Sequence, residues 1–211
     1  ERLLANGTRP NIEVLPAGVD PSEFELLDHD PESPIVTFFG SMDYHPNEDG
    51  VNWFAREALP LIRKQRPGVT FDVVGKDPSR EIRDLDSQDG VNVTGFVEDL
   101  GAHVARAAVV VLPIRVGTGI RMKALHAMAM GKPLVSTPLG VQGIDASDGT
   151  HLSVADDRPE AFAAAVVDLL DDPEKQVNYR QHARELIERD HDWERIAHKL
   201  DGFYETVIAD V

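Results

Sequence analysis

The chain has 211 residues, is 42% hydrophobic, contains no cysteine and carries a formal net charge of −16. That charge excludes nucleic acid as a principal partner, because no basic stripe is present to neutralise phosphates. The lack of cysteine excludes disulfides, thiol nucleophiles and thiolate metal sites, and fits a cytoplasmic protein. No run approaches the roughly 18 apolar residues that span a bilayer, so direct membrane insertion is not expected. The length allows one or two domains. The chain opens at Glu1 without a charged-then-apolar leader, which reads as a fragment or processed chain rather than a secreted precursor.

The elements follow one another in a regular alternation. Residues 1–34 hold one expected strand, over 12–15, then a Pro-, Asp- and Glu-rich stretch that reads as a connector packed on the domain. Strands are expected over 35–39, 70–74, 91–93, 109–112 and 133–137. Each is short, apolar and bounded by Gly or Pro, as buried parallel strands are. Between them, Val51, Phe54, Ala58, Leu59 and Ile62 recur at helical spacing and predict a helix over 47–66. Further helices are expected over 79–86, 100–106, 120–130, 159–170, 174–190 and 193–208. This alternation predicts an α/β fold with a doubly wound parallel sheet, Rossmann-like, over 35–190. The last segment, 191–211, reads as a separate C-terminal helix. Ligands in such sheets bind at the carboxyl ends of the strands, which makes the turns after Phe39, Val74, Val93, Leu112 and Thr137 the functional edge.

Charge is unevenly spread along that edge. Asp and Glu make up 37 of the 211 residues, yet none occurs from residue 100 to 144. The same stretch holds Arg106, Arg115, Arg121, Lys123, Lys132, His103 and His126. Burial accounts for the strand within it, but not for the polar turn over 115–123. A segment free of negative charge suits a bound anion.

The turns carry the chemistry. Gly40 and Ser41 follow the first strand, and a Gly there lets a ligand approach the backbone. Asp43 and His45 nearby also form a possible acid/base pair, a weaker reading. Gly75 permits close approach after the second strand, and Lys76 could reach a phosphate, although the spacing is not that of a P-loop. After the fourth strand, Gly117 and Gly119 free the backbone before a helix whose N-terminus suits phosphate. Arg121 and Lys123 are expected in its first turn, where a cation opposes the helix dipole by roughly 0.3–1 kcal/mol. That unfavourable placement makes sense if a phosphate binds. His126 lies on the same face as Lys123. With one His and no second ligand nearby, no metal site is expected.

Taken together, the turns are more specific than any one of them. Arg121, Lys123, Leu125, Ala127-Met128-Ala129 and Gly131-Lys132-Pro133-Leu134-Val135-Ser136-Thr137 resemble the donor-binding half of retaining GT-B glycosyltransferases of the family-4 type. Gly40-Ser41-Met42 with Pro46-Asn47, Val91 to Val97 and Leu15-Pro16-Ala17-Gly18-Val19-Asp20 extend the resemblance over nearly the whole chain. The closest likeness is to the branch that builds bacterial exopolysaccharides and similar glycans.

The resemblance implies one half of a GT-B architecture and a nucleoside-diphosphate sugar as donor, with no metal and no cofactor. Gly119, Ile120, Arg121 and Lys123 would hold the diphosphate, with Arg121 and Lys123 offsetting charge on the leaving group. Gly40 and Ser41 would line the same pocket, Phe96 and Val97 would meet the base, and Gly75 and Lys76 would flank it. The glycan or lipid-linked acceptor would bind through an absent N-terminal domain, so this piece alone is expected to be inactive. Two departures matter. Where the family carries a Glu, seven residues and a second Glu, this chain has Thr118 and His126. A neutral His accepts one hydrogen bond and donates one, which alters the contact with a ribose. The basic pair that many members carry after the first strand is also absent, with Met42 and Pro46 or Asn47 in its place. The alternatives are a nucleotide-sugar-binding or scaffolding domain without turnover and a nucleotide-sugar epimerase. An unrelated flavodoxin-like module ranks below both, since no dinucleotide glycine fingerprint opens the first helix.

Overall fold

The computed structural model describes residues 12–27, 30 and 33–209. Six parallel strands form one sheet: β1 (Ile35–Phe39), β2 (Thr70–Val74), β3 (Val91–Gly95), β4 (Val109–Leu112), β5 (Leu134–Ser136) and β6 (Ser153–Val154). Their order is β3-β2-β1-β4-β5-β6. The order reverses between β1 and β4, so connections leave these two neighbours in opposite directions and open a crevice at their carboxyl ends. In β4 all four residues are buried. Apolar side chains on both faces are what a sheet covered by helices on both sides requires.

All five strands expected from residue 35 onward coincide with observed ones to within two residues at either end. β6 has only two residues, too few to show any alternation. The strand expected over 12–15 does not form. Pro16 has no N–H to give to a ladder, and Ile12 and Val14 are exposed. This stretch is held from the side instead: Lys199 pairs with Glu13 at 2.7 Å and donates to the Val14 carbonyl at 3.3 Å. A little further on, Val19 N–H donates to His191 O at 2.8 Å and Val19 O accepts from Trp193 N–H at 3.1 Å.

The helix expected over 47–66 begins earlier and is not uniform. α1 (His45–Trp53) is followed by a π turn (Phe54–Ala58) and α2 (Leu59–Gln65). Pro60 explains the π turn, because it cannot donate to the carbonyl four residues back and its ring crowds that carbonyl. The chain widens by one residue, and Leu59 N–H reaches Phe54 O. The wider turn also sets Phe54 between Phe71 of β2 (centroids 4.5 Å apart) and Phe162 (5.9 Å).

α3 (Arg80–Asp84) and α4 (Leu100–Ala105) start at side-chain caps, Ser79 accepting from Ile82 N–H and Asp99 from Ala102 N–H. Such caps satisfy donors that a helix start leaves unpaired. α5 (Met122–Ala129) starts two residues later than expected, because Arg121 is still extended (φ −93°, ψ 93°) and occupies the capping position. α6 (Pro159–Asp171), α7 (Pro173–Asp190) and α8 (Trp193–Ala209) complete the chain. α2 packs on α6 and α5 on α7, while α8 packs on α7. Among the described residues no helix is long and apolar enough to cross a membrane.

Candidate functional site

The crevice is built by the turns after β1, β2 and β3 and by one face of α5. Gly40 N–H donates to Val74 O at 2.9 Å, Met42 N–H to Lys76 O at 2.9 Å and Gly75 N–H to Gly95 O at 3.0 Å. These bonds draw the three turns into one wall. Behind them, buried Asn47 of α1 donates to Ser41 O at 2.6 Å and fixes the first turn. The resulting cleft measures about 410 Å³. Gly40, Ser41, Gly75, Lys76, Phe96, Val97, Lys123 and His126 all line it. Phe39, Val74, Leu100 and Met122 supply the rest of the lining. Phe96 stands 73% exposed at the mouth. Among the described residues no Asp or Glu lines the cleft.

Lys123 projects from the first turn of α5 onto Gly40, so closely that a Cβ at Gly40 would fall 2.1 Å from the lysine Cε. It makes no ion pair among the described residues. Burial lowers its pKa from the ordinary value of 10.5, and Arg121 adds to the effect. One turn along, the His126 ring stacks on Phe24 with centroids 5.0 Å apart and planes 26° apart. Burial, and then the Lys123 charge, lower the His126 pKa below 6.5. The side chain of Lys76 lies 3.8 Å from Asp77, and the Ser41 hydroxyl donates to Asp43 at 2.6 Å.

Arg121, Thr118, Gly119 and Ile120 lie outside the cleft lining. Thr118, Gly119 and Ile120 are on an exposed loop. Arg121 is buried beneath that loop at 8% exposure. Its Nη1 donates to the Tyr44 hydroxyl at 3.4 Å and its Nη2 to Val116 O at 3.3 Å, while Nε is buried without a partner. No carboxylate lies within ion-pair distance among the described residues. Leaving a buried guanidinium without an anion is costly. The extended backbone at Arg121 corrects its expected place inside the helix.

The acid-free stretch also means less than its sequence implies. Arg115 is already answered by Asp49 of α1, through bonds of 2.9 and 3.1 Å, and its guanidinium lies over the Trp53 ring. Lys132 is buried and donates to Ala105 O at 2.7 Å and Ala107 O at 3.0 Å. Both are structural cations. Among the described residues no three metal-ligating side chains cluster.

The strand order and the cleft at its switch point define a Rossmann-like, doubly wound domain. The chain belongs to a family described as "Glycosyl transferases group 1", whose sequence profile matches residues 33–172. It is 30% identical over 196 residues to a glycogen synthase from Mycobacterium tuberculosis, covering 88% of this chain and 46% of that one. Sucrose-phosphate synthase from Thermosynechococcus elongatus superposes with a TM-score of 0.72 at 21% identity, over 94% of this chain and 53% of that one. HepE from Anabaena, solved in complex with UDP and glucose, gives a TM-score of 0.68 at 17% identity, over 92% of this chain and 56% of that one. The structural neighbours are GT-B glycosyltransferases, which settles the fold. The chain spans about half the length of the curated relatives it matches.

Proposed function

We propose that this chain is the donor-binding domain of a retaining glycosyltransferase and takes the nucleoside diphosphate of a sugar donor in the cleft between β1 and α5. The observation that carries the reading is the pair Arg121 and Lys123. Arg121 is buried and Lys123 half-buried, neither has a carboxylate partner among the described residues, and the Arg121 charge acts on Lys123. A bound diphosphate would supply the missing counter-charge. Lys123 reaches the cleft directly, and Arg121 would act on the phosphates from beneath the 116–120 loop.

In this reading Gly40 and Gly75 let the ligand approach the backbone, Ser41 and Lys76 bind beside them, and Phe96 and Val97 receive the base. Thr118, Gly119 and Ile120 offer backbone N–H groups to the diphosphate. Developing negative charge on the leaving diphosphate is offset by cations already in place, which is how preorganised charge lowers a barrier. No metal ion is needed for that role. The sugar, of hexose type, would pass to a glycan or lipid-linked acceptor held by a further domain, so the chain alone would bind but not transfer. The absence of cysteine supports a cytoplasmic setting, and the resemblance to exopolysaccharide enzymes supports a polysaccharide product.

A second reading, a binding domain without turnover, is favoured by His126. Its ring is stacked on Phe24 and stands where the resemblance implies a carboxylate. An epimerase is disfavoured by a cleft in which, among the described residues, no carboxylate stands to move protons.

A thermal-shift panel of UDP, GDP, ADP and their sugars tests the reading. At 100 times Kd a ligand stabilises by about 2.7 kcal/mol, or roughly 5–10 °C for a domain of this size. A shift that disappears in the Arg121→Met/Lys123→Met variant is expected. An equal shift in that variant would remove the assignment.

A further inference from the structure

The wall of the cleft that carries His126 is held from outside the sheet. The His126 side chain makes no hydrogen bond among the described residues, so packing alone orients its two nitrogens. The packing partner is Phe24, which lies in the segment before β1 and far from α5 in sequence. Among its described residues that segment forms one short 3₁₀ turn (Pro21–Glu23).

Arg184 of α7 ties it down. Its side chain is 16% exposed. Nη1 donates to Phe24 O at 2.7 Å and to Ala129 O at 2.5 Å, and Nη2 donates to Pro21 O at 3.0 Å. Nε donates to Glu188 Oε1 at 2.6 Å. One nitrogen therefore joins the main chain that bears Phe24 to the last turn of α5, the helix that bears His126. Leu27 N–H adds a tie to Met130 O at 3.2 Å. The three carbonyls are reached from two nitrogens held apart in one rigid plane, a spread that the single ammonium nitrogen of lysine does not reproduce.

We propose that Arg184 is a positioning residue for the cleft: by fixing the main chain of Pro21 to Phe24 against α5, it presses the Phe24 ring onto His126 and sets how that imidazole meets the ligand. That the imidazole meets a nucleotide rests on the function proposed above, but its orientation by Phe24 and Arg184 does not. Phe24 acts on His126 directly, and Arg184 acts through Phe24. Lys123 is the charged group that faces the same imidazole.

The test uses the whole 211-residue chain and two variants. Phe24→Leu keeps the main-chain bonds and removes the ring. Arg184→Lys keeps the charge and loses the fork. The wild-type His126 ring protons should carry an upfield ring-current shift in NMR spectra. Both variants should lose it, while the amide spectrum of the sheet stays dispersed. UDP affinity should fall in both by roughly threefold or more, the size expected when contacting residues are uncoupled. An unchanged His126 shift in Phe24→Leu overturns the stacking role whatever Arg184→Lys does. A shift lost in Phe24→Leu but retained in folded Arg184→Lys overturns the role of Arg184. If the wild-type chain binds no UDP, GDP or ADP, the nucleotide reading fails, and the ring-current result still decides the positioning role.

Discussion

Gly75 stands so close to Gly40 that a Cβ on Gly75 would lie 1.7 Å from the Gly40 carbonyl oxygen. The two turns that form the floor of the cleft touch through backbone alone. Gly75 also holds φ at +155°, which side chains rarely adopt. Gly75→Ala is expected to cost about 3 kcal/mol or more, since strain and a backbone clash add. A urea midpoint measured beside wild type checks this, and equal midpoints would mean the turns can part freely.

Arg121→Met and Lys123→Met should separate stability from binding. Replacing a buried charge that lacks a partner by an apolar side chain of similar length is often neutral or stabilising, by about 1–4 kcal/mol for buried ionic groups. Each variant is therefore expected to melt no lower than wild type while losing at least about tenfold in UDP affinity, as charge-assisted contacts do when removed. Isothermal titration beside a thermal melt reads both. A large fall in melting temperature would make the two residues structural.

Arg115→Ala should behave in the opposite way. It removes a two-bond contact with Asp49 and the stacking over Trp53. Loss of about 1–3 kcal/mol is expected, with nucleotide affinity unchanged. Weaker UDP binding in a fully folded Arg115→Ala chain would bring this residue back into the site.

His126 gives the domain a pH signature. Its folded pKa is depressed below 6.5 by burial and by Lys123. At pH below both folded and unfolded values the ring is charged in both states, and the folded state bears the full burial cost. As pH rises through the folded value towards 6.5, the unfolded chain holds the proton longer, so stability rises and then levels off. His126→Gln should flatten that part of the curve. Urea midpoints at pH 5 and pH 7.5 for the two chains check it, and parallel curves would show that His126 contributes nothing there.

The sheet was largely readable because its strands are short β-branched runs cut off by Gly or Pro, a local signal. The turns after β1, β2 and β3 were readable for the same reason, and Gly40, Gly75 and Phe96 from them line one cleft with Lys123 of α5. What escaped was long-range. Nothing near Arg115 announces Asp49, and nothing near His126 announces Phe24. Arg121 looked like a helix residue because the pattern of α5 runs into it, whereas its extended backbone turns the side chain beneath the loop. The strand expected over 12–15 shows the reverse error, since its apolar residues suit a strand but find no edge to join.

The central position of β1 bears on how the protein is made. Val36 of β1 pairs with Phe71 on one side and with Val109 on the other. During synthesis the β1–β2–β3 half can form first, but β1 keeps one open edge until β4 emerges. Such non-local parallel pairing is slow and leaves intermediates prone to aggregate. The seam between the two halves, β1 against β4, is the one that carries the cleft, with Gly40 on the early half and Lys123 on the late one. A chain stalled before α5 would hold a nearly complete early half but lack the wall of the cleft that α5 supplies.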